Sequence, residues 1–148
     1  MFAGATFSGH AVFEGAAFSG DAVFARATFS GEAWFREATF SGGVAWFGGA
    51  RFSQYARFDR ARFSRLARFD RARFSRYVLF DEATFFGDAG FGGAKFSWGA
   101  HFQGARFVSY DNAHHDDLKD AVFVTDPEHP FPGALYGPAP EELGETSA

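Results

Sequence analysis

Nine arginines fall between residues 51 and 76: Arg51, Arg57, Arg60, Arg62, Arg65, Arg68, Arg71, Arg73 and Arg76. Only Asp59 and Asp70 oppose them, so this stretch carries +7 in a chain whose total charge is −4. A dense set of guanidinium groups can grip phosphates or an acidic protein face, because each offers a rigid fork of donors. The plainer reading is a solvated surface that keeps an apolar protein in solution. Lysine, the other usual phosphate contact, occurs only at Lys95 and Lys119. His114, His115, Asp116 and Asp117 are metal-ligand types, yet neighbours in an extended chain point to opposite sides and do not converge on one ion. His10, His101 and His129 are isolated and read as surface residues. No Ser–His–Asp set, Gly-rich phosphate loop or carboxylate pair stands out. Cysteine is absent, which excludes thiolate chemistry and disulfides.

The serines lead back to the elements that carry these side chains. Ser8, Ser19, Ser30, Ser41, Ser53, Ser64, Ser75 and Ser97 each follow a phenylalanine, which marks them as turn residues bonding backbone. Of 23 phenylalanines, twenty form a ladder from Phe2 to Phe107 whose steps alternate between five and six residues, with one seven-residue step from Phe40 to Phe47. Two residues before each later ladder Phe stands Ala, with Val78 the one substitute. Residues two apart in an extended chain share a face, so each Ala-x-Phe unit buries one small and one large side chain. A helix with an eleven-residue period would scatter the same residues around its cylinder and leave no apolar stripe. Glycine and serine in the gaps also disfavour a helix. Short apolar units at a fixed period mean a solenoid.

The tandem units Ala11-Val12-Phe13-Glu14-Gly15 and Ala16-Ala17-Phe18-Ser19-Gly20 resemble those of the pentapeptide-repeat family, over residues 2 to 123. The resemblance implies an all-β, right-handed, four-sided β-helix with about one unit per side. It also implies one function found in that family, mimicry of duplex DNA toward type II topoisomerases. The sixth residue of every second unit departs from the family pattern. It predicts a 22-residue coil with the longer step at two opposite corners, where Gly would serve by accepting positive φ. About five to six coils follow, assigned to residues 1–124. Leu118, 22 residues after Phe96, is expected in the same column one coil on. Residues 125–148 include all five prolines and end in acidic and small residues, the composition of a loosely attached tail. With no apolar run long enough to span a bilayer and no basic-then-apolar leader at the start, the expected setting is cytoplasmic.

Stacking the coils predicts columns on the outside. Glu37, Arg60 and Glu82 should align, as should Arg36, Asp59 and Asp81; these are opposite-charge ladders. Arg51, Arg73 and Lys95 should form a like-charge ladder, with Tyr55 and Tyr77 stacked beside it. Trp34 should lie under Arg57, within cation–π reach. Trp46, Phe86 and Trp98 are further candidates for exposed aromatics. The candidate partner-binding residues are therefore Arg51, Arg73, Lys95, Tyr55, Tyr77, Arg57, Arg62 and Arg68. The functional expectation is a non-catalytic protein-binding or scaffold module with no cofactor and no metal. Two alternatives stand beside it: a DNA-mimic-like topoisomerase-interacting protein, and nucleic-acid binding through the belt 51–76. The spread of arginines over all four sides and the shortness of the rod weigh against both. The first coil, which opens in mid-ladder, is expected either to pair its strand edge with a second copy or to be preceded by more chain in a longer protein.

Overall fold

The computed structural model describes residues 1–106 and the backbone of 107 and of 122–123. Both the proposed limit at residue 124 and the tail 125–148 lie outside the described residues, as does the His114–Asp117 cluster. Every regular element is a two-residue strand. On the first side lie β1 (Thr6–Phe7), β5 (Thr28–Phe29), β9 (Arg51–Phe52), β13 (Arg73–Phe74), β17 (Lys95–Phe96) and β20 (Val122–Phe123). The second side holds β2 (Ala11–Val12), β6 (Ala33–Trp34), β10 (Ala56–Arg57), β14 (Val78–Leu79) and β18 (Ala100–His101). The third holds β3 (Ala17–Phe18), β7 (Thr39–Phe40), β11 (Arg62–Phe63), β15 (Thr84–Phe85) and β19 (Arg106–Phe107). The fourth holds β4 (Ala22–Val23), β8 (Ala45–Trp46), β12 (Ala67–Arg68) and β16 (Ala89–Gly90). All pairings are parallel, so the chain winds as a four-sided β-solenoid.

The interior follows from the Ala-x-Phe rule. Ladder phenylalanines from Phe24 to Phe102 are at most 2% exposed, and the ladder alanines from Ala27 to Ala105 are as deeply buried. The rings form four vertical columns. In one, Phe40, Phe63 and Phe85 stack nearly parallel with centroids 4.8 Å apart, which is the spacing of hydrogen-bonded strands. Between two opposite columns the rings meet edge to face, as Phe58 does with Phe47 and Phe69 at 5.2 Å. That geometry sets the positive rim of one ring against the negative face of the next. The described interior is thus filled by the rings and the ladder alanines.

Register confirms the 22-residue coil in most places, for example Thr6↔Thr28 and Ala56↔Val78. The seven-residue step makes one 23-residue turn, seen in Ala22↔Ala45 through Thr39↔Arg62. Its corner is Gly42–Gly43, where a Cβ on Gly42 would sit 1.4 Å from the Ser19 carbonyl oxygen and one on Gly43 1.9 Å from Asp21 Oδ1. At Gly42 the obstacle is fixed backbone, so the extra residue fits there only without a side chain, whereas at Gly43 it is the movable Asp21 carboxylate.

Two sequence expectations need correction. Positive φ falls at the five-residue corners and not, Gly99 apart, at the six-residue ones. It is found at Gly4, Gly15, Gly49, Gly93 and Gly104, and equally at Arg26, Glu37, Arg60, Arg71 and Glu82. The stack holds these L-residues there. Arg26 donates its N–H to the Gly48 carbonyl and Arg60 to that of Asp81, both at 2.8 Å. The second correction concerns the column above Phe96. Its partner one coil on is Phe123, with Lys95 facing Val122, so the last turn is longer than 22 residues. Leu118 itself lies outside the described residues.

Candidate functional site

The five-residue corner between the second and third sides gathers charges that satisfy one another. Arg36 Nε donates to Asp59 Oδ2 at 2.8 Å and lies 3.7 Å from Glu14. Arg57 reaches Asp59 at 3.3 Å, and Arg60 reaches Glu82 at 3.2 Å. Asp59, only 9% exposed, is the hub of this corner. Its carboxylate raises the pKa of the Arg36 guanidinium, first by the hydrogen bond and then by charge attraction. Asp81 adds a further link by accepting the N–H of Gln103 at 3.1 Å. The predicted Arg36–Asp59 and Arg60–Glu82 steps are therefore both present.

A different arrangement occupies the six-residue corner between the first and second sides. Arg51, Arg73 and Lys95 stand in strict register on the first side, each exposed. None of their side chains has an ion-pair partner among the described residues. The strand pairing forces this closeness, because each is the outward residue of a strand whose other residue is a ladder Phe. Beside them Tyr55 stacks on Tyr77 at 5.5 Å and 19°. Tyr77 in turn meets Trp98 edge-on at 5.1 Å, and the Arg76 guanidinium lies 4.4 Å over Trp98. Around the corner, Trp34 is capped by Arg57 at 5.8 Å and donates its indole N–H to Glu32 at 2.7 Å. Tyr55, Tyr77, Leu79, Arg57 and Glu32 line an open groove of about 460 Å³.

Of the eight candidate residues, six therefore share this edge: Arg51, Arg73, Lys95, Tyr55, Tyr77 and Arg57. Arg62 is on the third side, where it covers Phe86 at 5.3 Å, and Arg68 is on the fourth, paired to Asp70 at 3.0 Å. The belt is thus divided by use. Trp98 and Arg76 join the aromatic corner although sequence spacing does not place them in one column with Tyr77. The strict 22-residue partner of Tyr77 is Gly99, whose φ of 138° suits glycine. Leu79 enters through the groove, and its 22-residue spacing from Arg57 was the available signal.

Among the described residues no group of His, Asp or Glu could hold a metal ion, and no helix is long and apolar enough to cross a membrane. The fold and its edges define a tandem-repeat β-solenoid whose distinguishing chemistry lies on its outside. The chain belongs to the pentapeptide-repeat family: the family model described as "Pentapeptide repeats (9 copies)" matches residues 2–47, 24–73, 47–94 and 69–110. No curated protein and no solved structure matches the chain.

Proposed function

We propose that this protein is a non-catalytic cytoplasmic binding module, and that the edge between its first and second sides takes an acidic protein segment with apolar or aromatic anchors. The observation that carries the reading is the in-register Arg51–Arg73–Lys95 ladder, which has no counter-ion among the described residues. Like charges at strand spacing repel. They reduce stability unless groups beyond the described residues neutralise them. Arginine and tyrosine are also the residue types that dominate binding hot spots. The groove beside the ladder, floored by Tyr77 and Leu79, offers an anchor site.

Nucleic acid is the weaker reading of the same surface. Single-strand binders stack bases on free aromatic faces. Here Tyr55 and Tyr77 already cover each other. The topoisomerase reading needs a continuous acidic stripe, and the corner richest in carboxylates is interrupted by Arg36 and Arg60. The test is binding of synthetic peptides that alternate Glu with Phe or Leu, measured by fluorescence anisotropy against a poly-Lys control and a single-stranded oligonucleotide. The Glu-rich peptides should bind, and Arg51→Gln/Arg73→Gln/Lys95→Gln should weaken them at least about tenfold, the loss of roughly 1.4 kcal/mol. Arg106→Gln, on the third side, should leave them unchanged. Tighter, salt-dependent binding of the oligonucleotide would replace this reading with the nucleic-acid one.

A further inference from the structure

Among the described residues no strand pairs with the lower edge of the first coil. β1, β2 and β3 each end their sheets. Phe2 is 37% exposed, and Phe7, Phe13 and Phe18 are only partly covered, where their column mates Phe24, Phe29, Phe35 and Phe40 are buried. Backbone polarity at this edge follows from the coil above. Thr28 gives its N–H to the Ala5 carbonyl and Ser30 to that of Phe7. Thr28 and Ser30 therefore face downward, and so do the residues beneath them, Thr6 and Ser8. In the same way Trp34 and Glu32 accept from Phe13 and Ala11. Val12 and His10, one coil lower, thus turn their carbonyls away from the stack.

These groups are symmetric about Gly9. Thr6 and Val12 are each three residues from it, and Ser8 and His10 each one. A two-fold axis through the Gly9 corner would bring Thr6 of one copy opposite Val12 of the other. Each pair would exchange both N–H···O bonds as in an antiparallel ladder. Ser8 N–H would then meet the His10 carbonyl of the other copy. Neither charged side chain nor proline guards the edge between Phe2 and Phe13. We infer that the solenoid forms a closed two-fold dimer, first coil against first coil, paired through Thr6–Val12 and Ser8–His10 about Gly9. The self-complementary order of donors and acceptors is what selects a second copy as the occupant.

The axis has one consequence that rests on the proposed function. It keeps the Gly9 corners of the two copies in line, so both cation and aromatic edges fall on one side of a single rod. The two Arg51 residues would be separated by roughly 24 Å along the rod axis, five strand spacings of about 4.8 Å. A partner with two acidic segments would then engage both.

The mass of the chain tests the dimer without reference to any ligand. Sedimentation equilibrium over a concentration series should show a monomer–dimer equilibrium. Thr6 and Val12 point outward, so charges there should leave the circular dichroism and melting unchanged. Thr6→Lys/Val12→Lys sets Lys against Lys twice across the axis, whereas Thr6→Lys/Val12→Glu sets Lys against Glu twice. The first should raise the dimer dissociation constant at least about tenfold over the second, from cross-strand charge pairing. A chain that stays monomeric at the highest concentration overturns the dimer. Equal dissociation constants for the two variants overturn this register.

Discussion

Two edges of one solenoid use the same device and reach opposite ends. At the corner between the second and third sides, stacked coils set Arg36 on Asp59 and Arg60 against Glu82. At the first side, the same stacking sets Arg51, Arg73 and Lys95 in line with no counter-charge among the described residues. A column repeats the chemistry of whatever occupies it, at a spacing near 4.8 Å where pair energies matter. The first edge therefore closes on itself and stabilises the fold. The second remains an unsatisfied field, with stacked aromatics at its side. Arginine content alone would rank them alike; register separates them.

The largest way to break the comparison is to remove what holds both edges in register. Phe58 follows Tyr55 and Arg57 and precedes Asp59 and Arg60, and its ring stacks on Phe35 at 5.0 Å and on Phe80 at 5.1 Å. Phe58→Ala should cost about 3–5 kcal/mol in chemical denaturation and weaken peptide binding together with stability. The same loss should follow Phe63→Ala in the neighbouring column. A loss under about 1 kcal/mol at both would mean that the rings do not carry the stack.

Next in size is the hub of the self-satisfied edge. Asp59→Asn keeps the shape and removes the charge that Arg36 and Arg57 share. It should cost about 1.5–3 kcal/mol, the worth of a hydrogen bond to a charged group, and leave the contribution of Arg51, Arg73 and Lys95 to peptide binding intact. Arg60→Glu is smaller. It places three acids in the Glu37–Glu82 column and should cost below about 1 kcal/mol, less in high salt. The φ of 61° at Arg60 does not confound this, because Glu37 and Glu82 adopt 57° and 58° in the same column. Adding Glu37→Arg and Glu82→Arg should restore the stability. An Arg60→Glu cost that the triple variant does not recover would contradict the column.

The ladder was legible because burial demanded one residue type at every inward site, and a one-residue slip would put Phe in water. The columns were legible for the same reason, as Tyr55 on Tyr77 and Trp34 under Arg57 show. What was not legible is conformation that the stack imposes on residues with no preference for it. Arg26, Glu37, Arg60, Arg71 and Glu82 read as ordinary surface charges, yet each sits where Gly4, Gly15 or Gly49 would sit. The place of Trp98 was also hidden, since it depends on the backbone turn at Gly99. Counting failed above Phe96 because a coil of another length reached Phe123 first. The division of the belt into paired and unpaired arginines needed side-chain geometry, since Arg57 and Arg68 reach carboxylates two residues along their own chain.

The smallest expected effect on stability belongs to the variant that matters most. Arg51→Gln/Arg73→Gln/Lys95→Gln removes the cation ladder and touches no ion pair among the described residues. Its unfolding free energy, measured beside its affinity for the Glu-rich peptides, separates the two edges directly. Stability should be no lower than that of the parent chain, and up to about 0.5 kcal/mol higher as the like-charge repulsion is relieved. It predicts peptide affinity at least about tenfold weaker. Loss of more than about 1 kcal/mol of stability with unchanged affinity would show that this ladder serves the fold and not a partner.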